Sequence, residues 1–314
     1  MAETSAKGAV RTVDVAEDRD GQRLDNFLLG LLKGAPRSLI YRIVRSGEVR
    51  INGKRAKPDS RLAGGDRVRI PPVRLGEPDA GEGPPSGMAE RLAEHIVFED
   101  RALLVLNKPC GIAAHGGSGV RFGAIELLRR ARPNDSLELV HRLDRDTSGV
   151  LVLAKKRSAL LELQRQMREG GIRKRYLALL VGRMADSFTV DVALQKSVLS
   201  GGERMVRVNA EGKESVSHFQ LIERRGGHSY AEVRIETGRT HQIRVHAAHL
   251  GHPVAGDEKY GDREANRRLR DQVGLKRMFL HAASLEFALD EGRSPYVLSA
   301  PLAPELAAAL DRLA

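Results

Sequence analysis

The sequence predicts an α+β protein: a mixed, mainly antiparallel β-sheet domain with flanking helices, preceded by a small basic module of helices and strands. Three observations carry this. From residue 95 onward, most apolar residues fall in short alternating runs, the period of half-buried strands, with few stretches at helical spacing. The first seventy residues instead show two short amphipathic helical patterns and then a hairpin signal. Between these regions lies GEPDAGEGPPSGMAE, residues 76–90, which has four acids, no Lys or Arg, and the Gly/Pro content of a linker. The implied boundaries are a polar leader over 1–20, a small domain over 21–75, the linker, and a main domain over 91–314.

In the small domain, Leu24, Phe27, Leu28, Leu31 and Leu32 mark one face of a helix from Gln22 to Lys33, which Gly34 ends. Pro36-Arg37-Ser38 opens a second helix, with Ile40, Ile43 and Val44 inward and Arg37, Arg42 and Arg45 outward. Apolar and basic residues then alternate from Val49 to Arg55 around Asn52-Gly53, a strong hairpin signal. A last strand spans Arg67 to Ile70. Residues 37–57 hold seven basic side chains and one acid. A solvated face is the plain explanation of such a run, but on so small a module arrayed cations are what counterion release from a polyanion requires. Arg37, Arg42, Arg45, Lys54 and Arg55 are therefore candidate phosphate contacts.

In the main domain, His95–Phe98 and Ala102–Leu106 read as a hairpin and Asn107–Gly111 as a turn. Residues 115–119 are a flexible loop. It lacks the Lys-Ser/Thr of a phosphate-binding loop, and no dinucleotide fingerprint occurs, so no nucleotide cofactor is expected. Leu137–Val140 and Val150–Ala154 read as strands, Ser158–Arg168 as a helix and Arg173–Val181 as a strand. Val190–Leu194, Ser215–Ile222 and Ala231–Ile235 follow as antiparallel strands, and His241–Leu250 as a helix.

Composition narrows the function. The chain has 52 Lys and Arg against 41 Asp and Glu, a net charge of +11, which points to a polyanionic partner such as structured RNA. No Trp and only 4% aromatics argue against single-strand stacking as the main binding mode. No run is apolar enough to span a bilayer, and the start of the chain lacks a signal-peptide core, so a cytoplasmic protein without membrane contact is expected. The single cysteine, Cys110, excludes an internal disulfide framework and, without an adjacent base, reads as a packed thiol. His241, His246, His249 and His252 raise a metal site, but 241 is off the face of 246 and no Cys or acid stands at ligand spacing, so no metal is expected.

The chemistry gathers at HRLDRDTSG, residues 141–149, where a connection between two apolar strands carries Asp144 between Arg142 and Arg145. A structural salt bridge is the plain reading of an isolated R-x-D-R, because a carboxylate in an apolar frame must be paired or used. Three other stretches accompany it: RKRYLAL (173–179), ETGRTHQIRVHAAHLGHPVAGDEKYGD (236–262) and NKPCG (107–111).

With these motifs, residues 91–314 resemble the RNA pseudouridine synthases whose signature is HRLDxxTSG, and roughly residues 21–72 resemble the alpha-L (S4-like) RNA-binding module first known from a small-subunit ribosomal protein. The wording ELVHRLDRDTSGVL is similar to the branch that acts on bacterial 23S ribosomal RNA. The resemblance implies a cofactor-free isomerisation of uridine to pseudouridine on 23S RNA or its large-subunit precursor, with the target base flipped from its stack. A monomer is expected. By motif position, Asp144 is the nucleophile, Arg244 the arginine that pairs with it, and Tyr176 the tyrosine that packs on the base and is a candidate to take the proton from carbon 5. Arg142 matches the arginine that fills the vacated stack, and Arg239 would orient the loop or a phosphate. Asp146 falls outside the matching slot. Two competing readings are a nucleic-acid N-glycosidase and a non-enzymatic ribosomal RNA-binding protein.

Overall fold

The computed structural model describes residues 10–32, 35, 37–73, 84–117, 120, 122–198, 204–289 and 294–313. The chain divides into two compact units, residues 1–83 and 84–314.

In the first unit, β1 (Arg11–Asp14) is followed by α1 (Leu24–Leu31), α2 (Arg37–Arg45), β2 (Arg50–Ile51), β3 (Lys54–Arg55) and β4 (Arg67–Ile70). The sheet order is β1-β4-β2-β3. The apolar faces of both helices meet it, burying Leu24, Leu28, Ile40, Val44, Val49 and Val68 in one cluster. Asn52 (φ 49°) and Gly53 (φ 78°) form the two-residue hairpin turn, whose paired left-handed residues match the twist of the flanking strands. The strand β1 lies within the stretch read as a polar leader. Its four residues offered too little alternation to show, and pairing with β4 holds it. Gly34 and residues 76–83 of the expected linker lie outside the described residues.

The second unit opens with α3 (Met88–Ala93), β5 (Ile96–Glu99), β6 (Leu103–Lys108), α4 (Ala124–Ala131), β7 (Glu138–Leu139), β8 (Ser148–Ala154), α5 (Arg157–Glu169) and β9 (Arg173–Leu180). It continues with β10 (Ser187–Asp191), β11 (Leu194–Val198), β12 (Arg204–Val208), β13 (Val216–Arg225) and β14 (His228–Ile235). α6 (Gln242–His249), α7 (Arg263–Val273), β15 (Leu280–Phe287), β16 (Tyr296–Ser299) and α8 (Pro304–Asp311) complete it. The main sheet runs β10-β13-β14-β9-β15-β8-β6-β5, with β16 on β15 and β7 on β8, while β11 and β12 form a separate hairpin. Among the described residues, only the β15–β8 pairing is parallel. No helix among the described residues is long and apolar enough to cross a membrane.

Every residue of β8 is buried, because the strand is covered on both faces. Leu151 and Leu153 pack with Leu104, Leu106 and Leu127, and Val150 and Val152 pack on the other face with Leu103, Leu160 and Leu163. At about 1.5–3 kcal/mol for each fully buried aliphatic side chain, this strand is the firmest support the sheet can offer to a loop entering it.

Several expected boundaries move. Asn107 and Lys108 belong to β6 rather than to a turn, since pairing with β8 carries that strand through to Lys108. The run Val190–Leu194 is broken, with β10 ending at Asp191 in the main sheet and β11 starting at Leu194 in the separate hairpin. Its apolar residues keep the strand period across a change of sheet, so alternation alone could not reveal the break. The helices α3, α4, α7 and α8 and the strands β12, β15 and β16 had no counterpart in the sequence reading; α3 begins at Met88, inside the stretch read as linker, and β15 is central.

Candidate active site

The loop between β7 and β8 carries residues 141–147, and the end of β6 clamps it. Lys108 is wholly buried. Its ammonium donates to the carbonyl oxygens of Pro109 (2.7 Å), Ile112 (2.7 Å) and Arg145 (3.1 Å), three acceptors for three N–H donors. Burial nonetheless pushes its pKa down to about 8. The Gly111 N–H donates to the Arg145 carbonyl at 2.9 Å. The Cys110 Sγ lies 3.4 Å from the Asp146 carbonyl, and burial pushes this thiol's pKa up, which leaves it a packed group. Where the loop enters β8, Gly149 has φ 110°, and a Cβ there would stand 2.1 Å from the Ala282 carbonyl oxygen of β15. Only glycine permits this approach of two parallel strands.

The clamped loop separates its charges. Arg145 pairs with Asp146 at 3.2 Å, and exposed Arg142 places Nη1 3.4 Å from His115 Nε2. Neither arginine pairs with Asp144. The Asp144 Oδ2 instead faces Arg244 Nη1 at 3.6 Å and His241 Nε2 at 3.8 Å.

Arg244 faces Asp144, as expected, but its closer partner is a second carboxylate. Its guanidinium fork is taken by Asp257, with Nε to Oδ2 at 2.7 Å and Nη2 to Oδ1 at 2.8 Å, which leaves Nη1 for Asp144. Asp257 is 1% exposed and also accepts from the N–H groups of Lys259 (2.9 Å) and Tyr260 (3.1 Å). Burial works to raise the Asp257 pKa. The Arg244 bonds and charge, with the two backbone donors, outweigh it and hold the carboxyl below its usual range. The fork therefore goes to the more buried carboxylate, where a bidentate pair is most needed. α6 can deliver Arg244 because Ile243 and Ala247 seat it in a cluster with Val233 and Phe219.

His241 precedes α6 in a left-handed conformation, φ 55°. Its Nδ1 lies 2.8 Å from the Tyr260 hydroxyl, whose oxygen accepts the Val206 N–H at 2.9 Å. Two other histidines of the segment have their own partners. His246 is buried against Ser215, Ser217 and the Val192 carbonyl, and His252 meets the Val181 carbonyl.

Asp144 stands where two spaces meet. One is a cleft of about 730 Å³ whose wall includes the cations Arg142, Arg145, Lys259, Lys276 and Arg277. The other is a recess of about 80 Å³ lined by Tyr176, Ile235, Ile243 and Leu280 among others. Burial, and then the Asp144 charge, push the Tyr176 phenol above its ordinary pKa, so it holds its proton at rest. Arg239 reaches this recess too, but its Nε is spent on the Glu214 carbonyl at 3.0 Å.

The four motif stretches thus meet at one place, and Asp144, Arg142, Tyr176, Arg239 and Arg244 all line its spaces. The basic residues form a separate group in the first unit, where Arg42, Arg45 and Lys54 are exposed. Arg55 is exposed as well, but its Nη2 donates to the Arg45 (3.3 Å) and Ser46 (3.2 Å) carbonyls at the end of α2. Arg37 begins α2, and its side chain lies outside the described residues. Asp257, His241, Tyr260 and Lys108 were not among the predicted site residues. The one signal for Asp257 was the acid pair Asp257-Glu258 between Gly256 and Lys259-Tyr260-Gly261, which names neither acid as the partner of Arg244.

The fold and this cluster define an RNA-modifying enzyme, and sequence comparison specifies it: the chain belongs to the RNA pseudouridylate synthase family, which matches residues 102–249, with an S4 domain matching residues 22–68. It is 53% identical over 283 residues to ribosomal large subunit pseudouridine synthase C of Salmonella typhimurium, covering 89% of each chain. It is 50% identical over 309 residues to the protein of that name from Escherichia coli K12, covering 97% of each. Among solved structures, human RNA pseudouridylate synthase domain containing 1 superposes with a TM-score of 0.57 at 29% identity, covering 68% of this chain and 86% of that one.

Proposed function

We propose that this chain isomerises particular uridines of 23S ribosomal RNA, or of its large-subunit precursor, to pseudouridine, working as a cytoplasmic monomer without a cofactor. The reaction breaks the bond from uracil N1 to the ribose, joins carbon 5 to the sugar, and moves one proton from carbon 5 to N1. The observation that carries the reading is Asp144, 3.6 Å from the one Arg244 nitrogen that Asp257 leaves free, at the mouth between the cleft and the recess that holds Tyr176.

Each part has a physical role. The cations of the cleft receive the RNA backbone. A uracil flipped into the recess packs on Tyr176, and Arg142, exposed beside the entrance, fills the stack it leaves. Asp144 is the nucleophile, bonding covalently to the nucleotide and leaving again. Arg244 aims it and balances its charge. Because the Tyr176 phenol holds its proton at rest, packing on the base is the role its environment favours. Arg239 orients the turn before α6, and Arg37, Arg42, Arg45, Lys54 and Arg55 of the first unit add RNA affinity. A glycosidase working through paired carboxylates needs a second one free to act, and the others that line the cleft are engaged: Asp146 with Arg145, Glu258 with Arg270, and Asp257 with Arg244 and two backbone donors.

Unmodified 23S RNA carrying tritium at uracil carbon 5 tests the reading. The wild type should release tritium and keep the modified base in the RNA, while Asp144→Ala should bind RNA and release none. Free uracil among the products, or tritium release by the variant at the wild-type rate, would overturn it.

A further inference from the structure

The histidine that faces Asp144 is held with unusual care. A non-glycine residue adopts the left-handed region only at a cost in backbone strain, and His241 occupies it at φ 55°. That conformation directs the ring so that its two nitrogens meet different partners: Nε2 lies 3.8 Å from Asp144 Oδ2, and Nδ1 lies 2.8 Å from the Tyr260 hydroxyl.

The hydrogen bonds decide which nitrogen carries the proton. A phenol oxygen has its O–H and its better acceptor lobe in the ring plane. The Val206 N–H, from β12, occupies the acceptor side at 2.9 Å, so the phenolic proton is left for Nδ1. Nδ1 then accepts, and a neutral ring must bear its hydrogen on Nε2. The other end requires the same choice, since an Nε2 lone pair facing a carboxylate would be repelled. Tyr260 is itself fixed, with Arg244 5.0 Å over its ring and Leu194, Val206 and Val245 packed beside it. The charged groups around the imidazole are Asp144 and Asp257 on one side of the balance and Arg244 and Lys259 on the other, and burial lowers its pKa, which keeps it neutral.

We propose that His241 is a second positioning residue for Asp144: a neutral imidazole whose Nε2–H is aimed at the carboxylate and whose tautomer is imposed by Tyr260, itself anchored to the β11–β12 hairpin. This rests on the reading of Asp144 as the nucleophile. At 3.8 Å the contact is longer than a hydrogen bond, as such contacts often are before substrate binds, and a shift of about 1 Å closes it. Arg244 and His241 then approach one carboxylate oxygen from two directions, which selects the rotamer that presents Asp144 to the nucleotide.

Two readouts test this on the full-length protein. Nitrogen-15 spectra of histidine-labelled wild type, with the resonances assigned by their loss in His241→Gln, should show Nε2 protonated and Nδ1 unprotonated at neutral pH. In Tyr260→Phe the Nδ1 lone pair loses its donor while Nε2 still faces Asp144, so the pattern should move toward imidazolium. In single turnovers, His241→Leu should slow tritium release roughly 10- to 100-fold, the worth of one hydrogen bond to a charged group, with RNA affinity unchanged. His241→Gln, which keeps an N–H near the Nε2 position, should recover much of that loss. A protonated Nδ1 in an active wild type, or His241→Leu and His241→Gln slowed equally, would overturn the proposal and leave the Asp144 reading intact. A wild type that releases no tritium would overturn that reading, and this proposal with it.

Discussion

Replacing Asp257 by asparagine removes one charge from the most enclosed ion pair at the site. The carboxylate accepts four hydrogen bonds, two from Arg244 and one each from the Lys259 and Tyr260 N–H groups. An asparagine amide can accept through one oxygen only, and its NH2 would point a donor at a donor. Breaking a buried pair by removing one partner costs about 3–5 kcal/mol, because the remaining charge stays buried. For a unit of this size each kcal/mol lowers the melting temperature by roughly 2–4 °C, so Asp257→Asn should melt about 6–20 °C below the wild type. The freed guanidinium has Asp144 within reach, 3.6 Å from Nη1. It should swing its fork onto that carboxylate and tie up the nucleophile, slowing single-turnover tritium release by roughly 10-fold or more with little change in RNA affinity. The pH dependence has a definite sign. The folded pKa of Asp257 is depressed, so its contribution to stability is present above the ordinary carboxylate pKa and is lost as pH falls through the folded value. The variant should lack that part of acid unfolding. Calorimetry, denaturant titration from neutral pH downward and single-turnover kinetics check all three. A variant that melts within 2 °C of the wild type at about the same turnover rate would refute the argument that Asp257 organises Arg244.

Other expectations follow from the same packing. Gly149→Ala should destabilise the second unit by roughly 3 kcal/mol or more in urea, since the new Cβ meets a backbone carbonyl at 2.1 Å and φ is 110°; a near-neutral effect would mean that β8 and β15 can part freely. Lys108 has a folded pKa of about 8 against an ordinary 10.5, so the unfolded chain binds the extra proton between those values. The wild type should therefore gain on the order of 3 kcal/mol relative to Lys108→Met as pH rises from about 8 to 10.5, and a difference constant across that range would contradict the assignment. In the first unit, Arg42→Ala with Lys54→Ala should weaken RNA binding at all sequences and flatten the dependence of log affinity on log salt by about 2. Turnover on saturating RNA should survive, and its loss would mean that the module positions the target.

Much of the architecture was legible because it depends on local pattern. Asn52-Gly53 dictates a hairpin turn through backbone conformations that few other pairs adopt. The helical spacing of Leu24 to Leu32 and of Ile40 to Val44 is the face that the first unit buries. What escaped was whatever depends on which strand lies beside which. Strand β15 joins the two halves of the sheet, yet nothing in LHAASLEF says that β9 and β8 will be its neighbours.

The site divides along the same line. The sequence alone made the HRLDRDTSG loop stand out, because that signature is contiguous, and its resemblance to a family joined Asp144 to Arg244 in a second motif far along the chain. Only the tertiary structure decided how the charges are shared. It turned Arg145 to Asp146 and Arg142 to the entrance, spent the Arg244 fork on Asp257, and set His241 between Asp144 and Tyr260. The physical reason is that an ion pair forms where burial leaves a charge with the fewest alternatives. Burial is a property of the packed sheet and of α6 seated on it, and no spacing along the chain encodes it.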